Sequence, residues 1–401
     1  MKQKYFTLFS LYLAQSLPMS FFTTVVPIIM RQEQFSLQAI GMLQLVKLPW
    51  ILKFLWAPIV DNHSRDKKSL INWILISELF YALIMVIISF FSLQVNFGLI
   101  IILFLFAVLA SSTQDIATDI FAIRILKQRE KPIGNSIQAA GGFIGSLIGT
   151  GVLLLVYQHI GWQVLLWILA AIVLLALLPL LSKKNKFKKS ETIPVQVKFK
   201  DIFSFFQSKR SRKRLLLLIF YFSGLTGIMA MLKPYLVDLG YDIVQIGFIS
   251  GIVGSISAAV ASMLGGVIIK KLGRRNAFFL FTTINLLVGI YFFWIAGTIP
   301  SEFTIYLAVC SLWAAYGFSM VIIFTSAMDE VRERSEGTDF ALQIVITQIS
   351  SLLIAVVSGK IADIAGYQFL FALQSILTVV SLLILFSLYG DTFHKIKERH
   401  E

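Results

Sequence analysis

Along the chain, apolar stretches alternate with short polar breaks, and each stretch has the roughly 20 residues that cross a hydrocarbon core about 30 Å thick. Twelve of them stand near 6–30, 37–60, 70–91, 97–120, 133–157, 161–181, 214–237, 243–269, 277–298, 303–326, 338–361 and 367–389. They predict an all-α membrane protein of 12 transmembrane helices. The one long polar interruption, Leu181 to Arg214, divides the spans six and six. The expected organisation is a six-helix bundle over 1–181, a basic linker over 182–213, a second bundle over 214–390 and a tail over 391–401.

The two halves resemble each other. LQAIGML from Leu37 matches IVQIGFI from Ile243 at an offset of 206. TVVPIIM around Pro27 matches MLKPYLV around Pro234 at 207, and GWQVLL from Gly161 matches GYQFLF from Gly366 at 205. Both halves start on the same side, so the repeat is parallel. Parallel six-helix repeats are the organisation of the major facilitator fold, in which the solute site lies near the midplane between the halves.

Composition agrees: 57% of the residues are hydrophobic, 14% are charged and the mean hydropathy is +0.83. The net charge of +14 raises the question of a nucleic-acid partner. Its placement answers against one, because cytoplasmic segments collect Lys and Arg. With the N-terminus inside, 30 of the 35 basic residues fall on inward segments and only Arg31 on an outward loop. The expectation is a multi-pass protein of a bacterial inner membrane with both termini cytoplasmic. The first stretch carries Pro18 and lacks a small-residue cleavage site, so it reads as a retained span rather than a signal peptide. Cys310 is the only cysteine, which excludes disulfides and Cys-based metal sites, and no cofactor is expected. Phe199, Ile202, Phe203 and Phe206 share one helical face among basic residues, as in an amphipathic helix lying on anionic lipid.

Charge inside a span is costly and marks a cavity or a partner. Lys47 falls near the middle of the second span and Lys53 about 12 Å from its inner end, counted at 1.5 Å per residue. On a straight helix the two point about 120° apart. Asp115 and Asp119, i and i+4, share a face of the fourth span. Asp115 lies at nearly the depth of Lys53, so the two are expected to pair, either as a coupling site or as a fixed structural ion pair. Lys47 is the candidate solute or coupling contact. Trp50 is a candidate cavity residue, and Trp56 is either that or an interfacial anchor. Glu78 is expected to pair with the basic loop, and Lys360 with Asp363. The glycines of the fifth span, Gly134, Gly141, Gly142, Gly145, Gly149 and Gly151, allow close helix packing and rocking.

Three stretches carry a family resemblance. KFLWAPIVD from Lys53 with the basic loop NHSRDKKS, STQDIATDIFAIRIL from Ser112, and DEVRERSEGTDFALQ from Asp329 resemble signatures of AmpG-like permeases within the major facilitator superfamily. That clan includes muropeptide permeases, siderophore permeases of the RhtX/FptX type and acetyl-coenzyme A transporters. GGVIIKKLGRR from Gly265 is similar to the superfamily's loop motif, with Lys270 where an acid is usual. The resemblance implies import of a polar, anionic solute, a siderophore as the first expectation and an anhydromuropeptide as the alternative, by a monomer coupled to protons. It assigns Gln114 with Asp115 to the substrate and coupling region, and Asp61, Arg65, Asp119, Arg124, Arg274, Asp329 and Asp339 to an inner gate. No G-x-x-x-x-G-K-[ST] loop points to an ATP-driven pump. A membrane enzyme lacks a catalytic constellation, since His63, His159, His394 and His400 are scattered. A receptor lacks an appended soluble domain.

Overall fold

In the computed structural model of the chain, residues 2–64, 66–181, 197–207 and 209–389 are described, and among them there is no strand. Eight helices are long and apolar enough to cross a membrane. Five are single crossings: Gln3–Gln32, Lys68–Ile88, Phe97–Ile125, Ser211–Asp238 and Glu302–Asp329. The other three, Lys131–Leu181, Val244–Ala296 and Glu336–Tyr389, have 51, 53 and 54 residues. An unbroken helix of that length would run to about 75 Å, more than twice the hydrocarbon core. Each is instead broken at a glycine of positive φ: Gly161 (72°), Gly273 (80°) and Gly366 (79°). Taken as two crossings each, and with the bent pair Gln38–Leu55 and Ala57–His63 as one, they give the expected twelve.

Gly161 and Gly366 are matched positions of the sequence repeat. Their backbones match as well, with φ/ψ of 72°/−177° and 79°/168°. Any side chain would clash with its own backbone in this conformation, so glycine holds both breaks. The repeat in sequence is therefore also a repeat in backbone geometry.

The second span differs from expectation. It is not one α-helix but five short pieces: α-helix at Leu37–Leu43, a 3₁₀ turn at Gln44–Lys47, α-helix at Leu48–Leu52, a second 3₁₀ turn at Lys53–Leu55, and α-helix at Ala57–His63, with a bend of 53°. The cause is Pro49 and Pro58, each in the first turn of an α-helical piece. Proline has no N–H and its ring obstructs the preceding turn, so the α-helical ladder stops just before it. The 120° separation of Lys47 and Lys53 on a straight helix does not apply. Both lysines sit in 3₁₀ turns.

The chain forms two compact units. The first comprises Met1–Phe199 together with Glu330–Ala341. Its apolar core includes Phe22 stacked on Phe104, with Phe21 and Trp162 beside them. Gly141, Gly145 and Gly149 lie four residues apart on the fifth span and face the first; a methyl on Gly145 would lie 2.9 Å from Ser16 Cβ and 3.1 Å from the Leu13 carbonyl. Both helices loosen to π-helix nearby, at Phe21–Val25 and Ile148–Val152. The second unit comprises Lys200–Asp329 and Leu342–Glu401, and its core packs Tyr235, Phe292 and Phe371 edge to face.

Of the linker, 182–196 lie outside the described residues, as does the tail 391–401. Val197 is held by Asn62, whose amide donates to the Val197 carbonyl (2.9 Å) and accepts from its N–H (2.8 Å). The expected surface helix is only Lys200–Ser204, five residues long. Ile202 and Phe205 are buried and Phe199 is exposed, so Phe199 is not on the covered side. Arg214, counted with the linker charges, is buried in the second unit, where it donates to Gln343 Oε1 (3.1 Å) and Ser326 Oγ (2.8 Å).

Candidate functional site

In the first unit, the irregular second span brings Lys53 onto the fourth. Its ammonium donates to Asp115 Oδ2, and the two side chains are 2% and 5% exposed. The ammonium also lies over the Trp50 ring, 5.1 Å from its centroid, within cation–π range. Trp56, one turn on, donates Nε1 to Thr113 Oγ1 at 3.1 Å. That bond ties the broken helix to the fourth span and explains Trp56 better than interfacial anchoring does.

Around this pair is a buried polar network. Tyr12 donates its hydroxyl to Asp119 Oδ1 at 2.8 Å, and Gln138 Nε2 lies 3.4 Å from the same oxygen. Gln15 donates to Gln114 Oε1. Several polar atoms in the network are buried without a partner: Trp50 Nε1, Gln114 Nε2, Thr118 Oγ1 and Gln138 Oε1. Unsatisfied buried groups are uncommon in proteins and mark sites that something else completes. Asp119, expected at the gate beside Arg124, is hydrogen-bonded within this network. About 1.4 helical turns separate it from Arg124, enough to turn the two side chains apart.

Lys47 is exposed and makes no ion pair among the described residues. Glu78, expected to pair with the basic loop, lies 11 residues past Lys67, about three helical turns into the third span. It is 3% exposed, and its Oε1 has no partner. Lys360 and Asp363 are both exposed and form no ion pair with each other.

A second cluster surrounds Asp61. Its carboxylate accepts from the Gly337 N–H (2.9 Å), the Thr338 N–H (2.8 Å) and the Thr338 hydroxyl (2.6 Å). These are the first free donors of the helix that begins at Glu336, so Asp61 caps that helix from a distant part of the chain. Arg124 reaches Glu336 at 3.2 Å and also donates to the Ser64 carbonyl. Arg332 clasps Asp339 in bidentate fashion, at 2.6 and 2.9 Å. Three residues expected at a gate, Asp61, Arg124 and Asp339, therefore meet around residues 330–341. In the second unit, Arg274 donates Nε to Asp329 Oδ2 at 2.8 Å. Arg65 lies outside the described residues.

Two loop acids outside the spans are tuned by their surroundings. Hydrogen bonds from Ser69 to Asp66 hold that carboxyl below its ordinary value and close a capping box at the start of the third span. Partial burial pushes Glu130 up, but hydrogen bonds from Lys4 (2.5 Å) and from the Lys127 N–H (2.9 Å), with both ammonium charges, outweigh it and leave the carboxyl low. Among the described residues, no group of three or more His, Cys, Asp or Glu side chains is placed to hold a metal ion.

The sequence reading missed Tyr12, Gln15, Gln138, Arg332, Glu336 and Thr338. For the first three a signal existed: a hydrogen-bonding side chain inside an apolar span is itself unusual. For Thr338 none did, because its role depends on where a distant helix begins.

The family model of the Major Facilitator Superfamily matches residues 8–353. A putative transporter, AmpG 4, of Rickettsia conorii is 24% identical, over 95% of this chain and 95% of the relative. The anhydromuropeptide permease of Escherichia coli is 22% identical, over 93% of this chain and 77% of the relative. Among solved structures, the human organic anion transporter MFSD10 has a TM-score of 0.75 at 12% identity, covering 96% of this chain and 99% of that one. The Escherichia coli fucose:proton symporter has a TM-score of 0.71 at 16% identity, covering 95% and 97%. These relatives and neighbours are transporters, not enzymes. The chain belongs to the major facilitator superfamily and is a multi-pass membrane transporter of small-molecule solutes.

Proposed function

We propose that this transporter imports a polar, carboxylate-bearing solute by alternating access, coupled to protons, as a monomer with both termini in the cytoplasm. The relatives' names favour an anhydromuropeptide over the siderophore expected first. The observation that carries the anionic part of the reading is Lys47. It is an ammonium in the body of a membrane span, on a 3₁₀ turn, with no counter-ion among the described residues. A discontinuous span is a recurrent site of solute and ion binding in transporters. Lys53 is already balanced by Asp115, so Lys47 is the cation left to attract a solute carboxylate.

In this reading the polar network senses the solute. Trp50 Nε1 and Gln114 Nε2 are buried donors awaiting acceptors, and hydroxyl or carboxylate oxygens of the solute satisfy them. The Lys53–Asp115 pair lies beside them and rearranges when a second anion arrives. Asp61, Arg65, Arg124 and Glu336, with Arg332–Asp339 and Arg274–Asp329, serve as the gate. The gate ties are charge-assisted hydrogen bonds, strong enough to hold one state and few enough to be exchanged. The two six-helix bundles and the basic linker are the moving parts of this scheme.

The test is uptake into proteoliposomes under an imposed pH gradient. Labelled anhydromuropeptide should accumulate, and a protonophore should abolish the accumulation. Accumulation of a hydroxycarboxylate siderophore instead would move the solute to the other branch of the clan. Accumulation indifferent to the pH gradient would remove the coupling.

A further inference from the structure

The fourth span presents two carboxylates one turn apart, Asp115 and Asp119, both buried at 4% and 2% exposure. Only one ammonium reaches them. Lys53 forms its ion pair with Asp115, and among the described residues no Lys or Arg pairs with Asp119. Of the other charged groups on the elements packed against this helix, Lys47 is exposed on its 3₁₀ turn and pairs with neither aspartate, and the rest are engaged elsewhere or are themselves acids. Asp61 holds residues 337 and 338, Arg124 holds Glu336 and Ser64, and Glu78 with Tyr81 on the third span adds no cation. The first span contributes Tyr12 and the fifth Gln138, both neutral hydrogen-bonding groups. If both aspartates were ionised, the network would carry one uncompensated negative charge with water excluded, which is among the least favourable arrangements in a protein interior.

A second observation is independent of the charge count. Gln138 is buried, and its Oε1 has no hydrogen-bond partner, while its Nε2 makes only a long 3.4 Å contact with Asp119 Oδ1. The oxygen and nitrogen of a side-chain amide are assigned from the hydrogen bonds around them, and exchanging them here turns Oε1 toward Asp119. An ionised Asp119 has no proton to offer that oxygen. A protonated one has: an O–H on Oδ1, the oxygen that also accepts from Tyr12, then donates to Gln138 Oε1.

We propose that Asp119, rather than Asp115, is the carboxyl that binds the coupled proton, as a neutral acid donating to Gln138 and accepting from Tyr12. Binding is a simple transfer: a hydronium gives its proton to the Asp119 carboxylate and leaves as water, and release returns the proton to water on the opposite side. Lys53 provides the link to the solute. While it is held by Asp115, Asp119 must carry a proton to stay buried. When a rearrangement brings Lys53 toward Asp119, the ammonium replaces the proton as its partner and the proton leaves. The inference rests on the transport reading for its meaning, but the occupancy of the site does not depend on which solute is carried.

The experiment is infrared difference spectroscopy of the purified full chain in lipid nanodiscs at neutral pH with no solute added. Wild type minus Asp119→Asn should show the carbonyl stretch of a protonated carboxylic acid, and wild type minus the double variant Lys53→Met/Asp115→Asn, which removes the ammonium together with its own carboxylate, should show none. Gln138→Leu should keep the band but move it toward the frequency of a carbonyl whose O–H has no acceptor. Asn is close in shape to the neutral acid, so Asp119→Asn should retain the melting temperature of the wild type. A band that survives in Asp119→Asn, or that disappears in the Lys53→Met/Asp115→Asn double variant, overturns the assignment. Loss of pH-gradient-driven uptake tests the transport reading separately, because the band is read without any solute.

Discussion

Replacing Lys53 by Met removes one partner of an ion pair whose side chains are 2% and 5% exposed. Leaving the other charge buried and unpaired costs about 3–5 kcal/mol, whereas removing both partners is often close to neutral. The stacked contact with Trp50 adds about 0.5–2 kcal/mol to the loss. The two single substitutions should not be equal. In Asp115→Asn, Lys53 keeps a second carboxylate one turn away at Asp119, so that variant should lose clearly less than Lys53→Met. The double variant should recover most of the Lys53→Met loss, with a coupling energy of about 3 kcal/mol, roughly a hundredfold in an equilibrium constant. The assay is denaturant unfolding of the detergent-purified protein, with monodispersity followed by size exclusion. Losses that simply add in the double variant would refute the reasoning, because the two groups would then act independently. Equal losses in the two single variants would refute the part assigned to Asp119.

Other outcomes follow from the same geometry. Asp61→Ala leaves three donors at residues 337 and 338 without their acceptor, each worth about 1–3 kcal/mol when buried and unsatisfied, and amide hydrogen exchange there should speed up while Asp61→Asn is milder. Gly145→Ala places a methyl 2.9 Å from Ser16 Cβ, and should lower the melting temperature by the equivalent of about 1–3 kcal/mol, while Gly98→Ala, with nothing within 4 Å, should not. Glu130 is held below its ordinary value of 4.5, so its contribution is present above that value and disappears as pH falls through the lower folded value. Wild type should therefore melt slightly above Glu130→Gln at about pH 7, and the gap should close toward about pH 4.

Much of the architecture is legible in hydropathy alone, because lipid forces every span to satisfy its own backbone and to be apolar for a full crossing. The repeat was legible for a similar reason: Gly161 and Gly366 occupy a backbone conformation that only glycine adopts cheaply, so the residue is visible wherever the geometry recurs. The pairing of Lys53 with Asp115 followed from depth, since equal distance from the inner ends of two helices in one bundle puts side chains at one level. What sequence spacing could not give was the course of the second span. Periodicity assumes a regular helix, and Pro49 and Pro58 replaced two turns of it with 3₁₀ geometry, which redirected both lysines. The bonds of Asp119 to Tyr12 and Gln138 were not legible, because they depend on how the first and fifth spans pack on the fourth. The ties of Asp61 to residues 337 and 338 join positions far apart in the chain, and no local pattern encodes them.

The account's central claim is that Lys47 meets a solute carboxylate while Lys53 serves the protein's own acids. The most direct measurement is the apparent KM of Lys47→Gln for labelled anhydromuropeptide in proteoliposomes, taken beside its melting temperature. The account predicts that KM rises by about tenfold or more, the loss of about 1.4 kcal/mol or more of binding, with the melting temperature of the wild type retained. An unchanged KM in a fully folded variant would contradict it.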